Sequence, residues 1–170
     1  MGDLFLKDSK GRYHQVCFQI FGMSCGPACV AMAERMYKGL SRSDENRALQ
    51  LSVQYSGGFT MEGGTYSRNV SSVLNAEGVR AYQAWNVGYP SVSSYLKFYA
   101  SFYTPVVAKV QWYSGGAHFV LCAISDPDDT FVFYDPWYGV VEAAGSQFPY
   151  YNSPDGAEGY FDGWLVMTYR

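Results

Sequence analysis

Apolar and polar positions recur with two different periods along the chain, and the change falls near Pro105. Ahead of it the spacing is helical. In Met23–Gly39, residues Cys29, Met32, Ala33 and Met36 recur at i, i+3, i+4 and i+7, which predicts a helix buried on one face. Ser24 stands where a cap belongs, Pro27 suits the first turn and Gly39 suits a left-handed stop. A second helix is expected from a Ser43 cap through Gln54. Thr65 and Gly78 bracket a third, with Tyr66, Val70, Val73 and Leu74 turned inward, and a fourth spans Ser91 to Phe102. Met1–Phe21 reads as a polar, irregular lead-in with one short strand. The turn-rich stretches Ser56–Gly64 and Val87–Ser91 read as loops.

Beyond Pro105 the period shortens. Val106–Trp112, Ala117–Ser125 and Thr130–Asp135 are β-branched or aromatic runs, and Asp126-Pro-Asp-Asp129 supplies the turn between the last two. Asp162–Tyr169 predicts a final strand, and Val79–Trp85 adds one more. Helices first and antiparallel strands second predict an α+β chain forming a single domain over residues 1–170. Its helical part is expected over about 1–104 and its sheet over about 105–170.

Composition narrows the function classes. Of 170 residues only 16% are charged, against about 25% in an ordinary domain, and 18% are aromatic. Between Phe131 and Arg170 stand 12 aromatics and 6 charged residues, 5 of them acidic. Disorder is excluded by the apolar content, and no apolar stretch is long enough for a membrane span. The first residues mix charge with apolar side chains and predict no signal peptide, so a reducing cytoplasm is the expected setting. Charge is segregated: 11 basic and 7 acidic residues precede Val110, and from there to Tyr169 there are 8 acids and no Lys or Arg. No cationic cluster suited to nucleic acid results. The acidic third reads as solvated loop carboxylates or as a steering surface for a basic partner.

The four cysteines are Cys17, Cys25, Cys29 and Cys122, and the two histidines are His14 and His118. Their spacings match no zinc motif and predict neither metal nor cofactor. Cys29 and Cys122 read as packing residues, Cys17 has a weak claim to line a site, and His14 reads as a surface residue. Cys25 is different, because it opens the first helix, where unpaired N–H groups and the macrodipole favour a thiolate nucleophile. His118 opens a strand directly after Gly115-Gly116-Ala117, small residues that let a peptide backbone approach the imidazole. Asp135 closes the next strand, so a hairpin can bring it beside His118 to orient the ring. Gln19, six residues before Cys25, can offer a side-chain amide to an oxyanion. Trp137 and Tyr138, next to Asp135, suit either a core or a substrate groove.

Together, Gln19-x₅-Cys25-Gly-Pro-Ala, His118-Phe-Val-Leu and Val132-Phe-Tyr-Asp135-Pro-x-x-Gly139 resemble the papain-like cysteine peptidases. The resemblance is nearest to the double-glycine leader peptidases that process bacteriocins. It implies a papain-like fold, with Cys25 as nucleophile, His118 as base, Asp135 as its orienter and Gln19 as oxyanion donor. Gly116, Ala117 and Trp137 would then contact a protein or peptide substrate, cleaved after Gly-Gly. The sequence departs from transporter-linked members in carrying neither a membrane segment nor an ATP-binding Gly-x₄-Gly-Lys-Ser/Thr motif, and in its aromatic extension Gly145–Arg170. Stand-alone members of this kind imply a bacterial effector or antibacterial toxin, with a neutralising inhibitor protein as second partner. An acyltransferase or glutamine deamidase would use the same triad, and a non-catalytic peptide-binding module would use the same groove. A cell-wall amidase would require an Asp-Cys-Ser-Gly motif that is absent.

Overall fold

A computed structural model describes residues 2–55, 58–85 and 89–170. Among them the chain forms four α-helices and a seven-stranded antiparallel sheet, with two short hairpins outside it. The lead-in is the first departure from expectation: β1 (Asp3–Lys7) and β2 (Tyr13–Cys17) pair as a hairpin, where one short strand was predicted. Its charged turn explains why. Arg12 is bidentate on Asp126 at 2.7 Å, Lys10 reaches Asp126 and Asp128, and Asp8 accepts from both Arg12 and His14. Part of the segregated charge of the sequence, Asp126 and Asp128, is therefore complementarity between its two halves. His14 is buried, not a surface residue, bonded to Asp8 at 2.8 Å and to the Tyr134 hydroxyl at 3.0 Å.

Helix α1 (Cys25–Lys38) is buried on every side from Cys25 to Met36, beyond the single stripe its periodicity predicts. It stops where Gly39 adopts φ +67° and Leu40 donates to the Arg35 carbonyl. The Ser24 hydroxyl makes no cap bond. It donates to Glu45 at 2.6 Å, which ties the approach to α1 onto α2 (Glu45–Gln54). The cap of α2 is Asp44, not Ser43, because the Asp44 carboxylate accepts from the Arg47 amide while Ser43 bonds Arg35. The described part of Ser56–Gly64 holds β3 (Phe59–Thr60), which pairs with β4 (Gly64–Thr65); Ser56 and Gly57 lie outside the described residues. Helix α3 (Ser67–Ala76) begins one residue after Tyr66, whose extended backbone leaves that ring exposed, while Val70, Val73 and Leu74 are buried as predicted. Then come β5 (Ala81–Ala84) and α4 (Tyr89–Tyr99); of the expected loop Val87–Ser91, Val87 and Gly88 lie outside the described residues.

The central strands have the predicted bounds: β6 (Val106–Trp112), β7 (Ala117–Ser125) and β8 (Thr130–Asp135). Two more follow that the sequence did not suggest, β9 (Gly139–Ala144) and β10 (Tyr150–Asn152), and β11 (Glu158–Thr168) is longer than expected. The order is β10-β11-β6-β7-β8-β9, and β5 pairs with the far half of β11. Both faces of the sheet are buried. On one, α1 and α3 pack against Val107, Leu121, Val132 and Val166. On the other, Val92 and Leu96 of α4 join a cluster of Phe131, Phe133, Tyr151 and Phe161. Phe148 stacks on Phe161 at 5.0 Å and 13°, and Phe133 on Phe161 at 5.3 Å and 27°. Such pairs add about 0.5–1.5 kcal/mol each beyond the area they bury. Much of the aromatic excess after Phe131 is this second core. No described helix is long and apolar enough to cross a membrane.

Candidate active site

Three elements converge on one cleft. α1 brings Cys25 at its first residue, where helix geometry leaves the leading N–H groups without intrahelical partners. Gly26 behind it is required by space, since a Cβ there would lie 2.8 Å from Thr65 Cβ on β4. β7 brings His118, and the last residue of β8 is Asp135. The pairing of β7 with β8 aligns Leu121 with Tyr134, so Asp135 falls diagonally across from His118, and His118 Nε2 lies 2.8 Å from Asp135 Oδ1.

Asp135 is fully buried and well supplied with donors. Oδ1 also accepts from the Trp137 and Tyr138 amides at 2.8 and 3.2 Å, and Oδ2 accepts from the Tyr151 hydroxyl at 2.6 Å. With Nε2 occupied, Nδ1 of His118 is left for Cys25. Burial works against the imidazolium, but the hydrogen bonds and negative charges of Asp135 and Cys25 outweigh it and lift His118 to about 10. The other cysteines are held as thiols: burial, with the Glu45 and Asp3 charges, pushes Cys17 up to about 12, and burial pushes Cys29 and Cys122 up as well. All four cysteines are free. No cluster of His, Cys, Asp and Glu suited to a metal occurs among the described residues.

Gln19 lies on the segment leading into α1, and its backbone N–H donates to the Pro136 carbonyl at 3.0 Å, tying that segment to the Asp135 turn. Its side chain is buried. Both amide hydrogens are engaged, with the carbonyls of Phe21 at 2.7 Å and Gly22 at 2.8 Å, while Oε1 has no partner. Donation to an oxyanion therefore requires one of those bonds to be exchanged.

The cleft has a volume of about 630 Å³. It is lined by Gly22, Met23 and Cys25, by the turn and second strand of the β3–β4 hairpin (62–65), and by Trp112, Gly115–Phe119, Trp137 and Tyr138. Gly116, Ala117 and Trp137 thus all line it, and Trp137 is more than half exposed there. Cys17, Cys29 and Cys122 do not line it. Sequence reasoning missed three contributors. The β3–β4 hairpin lay in a presumed loop. Trp112 stacks on His118 at 5.8 Å and 24°, a placement that the register of the β6–β7 hairpin, Val110 opposite His118, would have shown. Tyr151 lies on the unforeseen β10.

No family model and no curated protein matches the sequence. Solved structures do resemble it. A double glycine motif protease from an AMS/PCAT transporter, in complex with the leader peptide, is 18% identical, with a TM-score of 0.60 over 100% of this chain and 99% of that one. The Pseudomonas avirulence protein AvrPphB is 10% identical over 85% of this chain and 89% of that one, with a TM-score of 0.39. The first of these likenesses, end to end on both chains, carries the structural conclusion: the chain has the α+β fold of the papain-like cysteine peptidases.

Proposed function

We propose that the chain is a cysteine peptidase that cleaves a protein or peptide substrate in this cleft, with residues 1–170 acting as one domain. The observation that carries the reading is the meeting of Cys25, His118 and Asp135 at the cleft, with His118 Nε2 2.8 Å from Asp135 Oδ1. The Cys25 sulfur attacks the peptide carbonyl carbon, and its lone pair forms the C–S bond. The carbonyl oxygen takes the displaced electrons beside the free N–H groups of α1, and beside Gln19 once its amide gives up one backbone partner. His118 Nδ1 gives its proton to the leaving nitrogen as the C–N bond breaks. Water then attacks the thioester, with His118 taking its proton, and Cys25 is released. Asp135 keeps the ring in one tautomer and stabilises its cation throughout.

A thiol-directed peptide inhibitor followed by intact mass and peptide mapping tests the site. Cys25 should be labelled in preference to Cys17, Cys29 and Cys122, and labelling should fall away in His118→Ala. Equal labelling of several cysteines overturns the reading. A product with a new N-terminus supports proteolysis, whereas an amide-to-acid mass change in an intact substrate points to deamidation. Cleavage after Gly-Gly is part of the proposal, supported by the sequence motifs and by the small residues Gly116 and Ala117 beside His118; a cleavage profile with bulky residues just upstream of the cut would sink it. The role of effector or antibacterial toxin, with a neutralising inhibitor, rests on the sequence resemblance. Growth arrest on expression in bacteria, dependent on Cys25, is the result it requires.

A further inference from the structure

A buried carboxylate needs a donor on each oxygen, and the two oxygens of Asp135 are served from different parts of the chain. Oδ1 is held by His118 and by the amides of its own turn. Oδ2 is held by Tyr151, whose hydroxyl lies 2.6 Å away. Tyr151 belongs to Gly145–Arg170, the aromatic stretch that lies outside every motif read from the sequence. Its ring is boxed by Phe133 (5.8 Å, 88°), Phe161 (5.4 Å, 75°) and Trp112 (6.0 Å, 54°), and Trp112 in turn stacks on His118. Continuous aromatic packing thus joins the extension to both members of the His118–Asp135 pair.

We propose that Tyr151 is a positioning residue of the reactive centre: by holding Asp135 Oδ2 it stops the carboxylate from turning, so that Oδ1 stays presented to His118. The inference rests on the reading of Cys25, His118 and Asp135 as that centre. Rotation about the Cβ–Cγ bond would exchange the oxygens and detach the imidazole, and a second donor anchored in a packed core prevents it. Burial and the Asp135 charge push the Tyr151 phenol well above its usual value, so it remains a donor wherever the chain is folded. The other titratable groups that face Asp135 are His118 from β7, Tyr138 from its own turn and Cys29 from α1, with Cys25 acting through His118. Unlike these groups, Tyr151 is bonded to Oδ2.

Tyr151→Phe removes the hydroxyl and keeps the ring, and Phe161→Leu removes neighbouring packing and keeps the hydroxyl. The readout is the rate of Cys25 alkylation by iodoacetamide against pH, with urea midpoints measured alongside. In the wild type an alkaline limb should appear that His118→Ala abolishes. In Tyr151→Phe the limb should move down by about one pH unit. Phe161→Leu should lower the midpoint and leave the limb in place. An unmoved or raised limb in Tyr151→Phe, or a shift matched by Phe161→Leu, overturns the proposal. A Tyr151→Phe chain that does not fold makes the residue structural and does the same. A wild type without a His118-dependent limb fails at the earlier step, the reading of the centre itself.

Discussion

Replacing Asp135 separates two roles that its position combines, a stability hub and an electrostatic partner. In Asp135→Ala four donors lose their acceptor: His118 Nε2, the Trp137 and Tyr138 amides, and the Tyr151 hydroxyl. An unpaired buried donor costs about 1–3 kcal/mol. The two amides sit beside the half-exposed Trp137, where water can replace the carboxylate, so the main losses fall on the buried His118 and Tyr151. Removal of a buried charge returns some desolvation energy. The net loss should be about 3 kcal/mol, within the range for breaking a buried ion pair. Asp135→Asn should behave differently, because its amide oxygen still accepts from His118 and its NH₂ group can donate to the Tyr151 oxygen. A loss of about 1 kcal/mol is expected there, yet the neutral amide no longer supports the imidazolium. Urea unfolding of both variants, with Cys25 alkylation at neutral pH, tests the split. Both should alkylate slowly, and only Asp135→Ala should be strongly destabilised. A loss below about 1 kcal/mol in Asp135→Ala would refute the hub, since it would mean that the orphaned donors had all found water.

Two further outcomes follow from the same geometry. His118 is raised from 6.5 to about 10, so between those values the folded chain keeps a proton that the unfolded chain releases. Its contribution to stability is full below about 6.5 and is lost as pH rises through about 10; the urea-midpoint difference between wild type and His118→Gln should shrink over that window, and a constant difference would contradict the shift. Gly26→Ala places a Cβ 2.8 Å from Thr65 Cβ. It should displace the β3–β4 wall, cost about 1–3 kcal/mol and raise KM for a peptide, with Thr65→Gly restoring both; wild-type behaviour in the single variant would show that the wall moves freely.

The three central strands were legible because each is a β-branched or aromatic run bounded by an unmistakable turn, Gly115-Gly116 on one side and Asp126-Pro-Asp-Asp129 on the other. What escaped was structure that depends on distant partners. β10 has three residues, too few for a period to show, and exists because β11 lies beside it. The β1–β2 hairpin buries His14, which reads as a surface residue until Asp8 and Tyr134 are brought to it. Tyr66 kept the right period for an inward position, but the helix starts after it, and one residue of extended backbone turns the ring outward. The two-sided burial of the sheet was hidden for a related reason: the apolar face of α4 looks the same whichever face of the sheet it covers.

The site shows the same division at finer scale. Cys25, His118 and Asp135 could be picked out as candidates because the chemistry proposed for them depends on the elements that carry them: a helix start, a strand start and a strand end are visible in local pattern. Gln19 was a candidate by spacing alone, and spacing says nothing about side-chain direction, so its engagement with Phe21 and Gly22 was out of reach. Trp112 stood in between, since both strands of its hairpin were bounded correctly and only their register had to be drawn. Tyr151 was beyond any local reading. Its hydroxyl matters through an atom of Asp135, sixteen residues away in sequence, reached by an element that the sequence does not announce. The aromatic excess that marked the last forty residues was a sign of this, because a buried phenol can anchor a carboxylate firmly only if the rings around it are packed. Composition recorded the packing, and the geometry supplies the atom it serves.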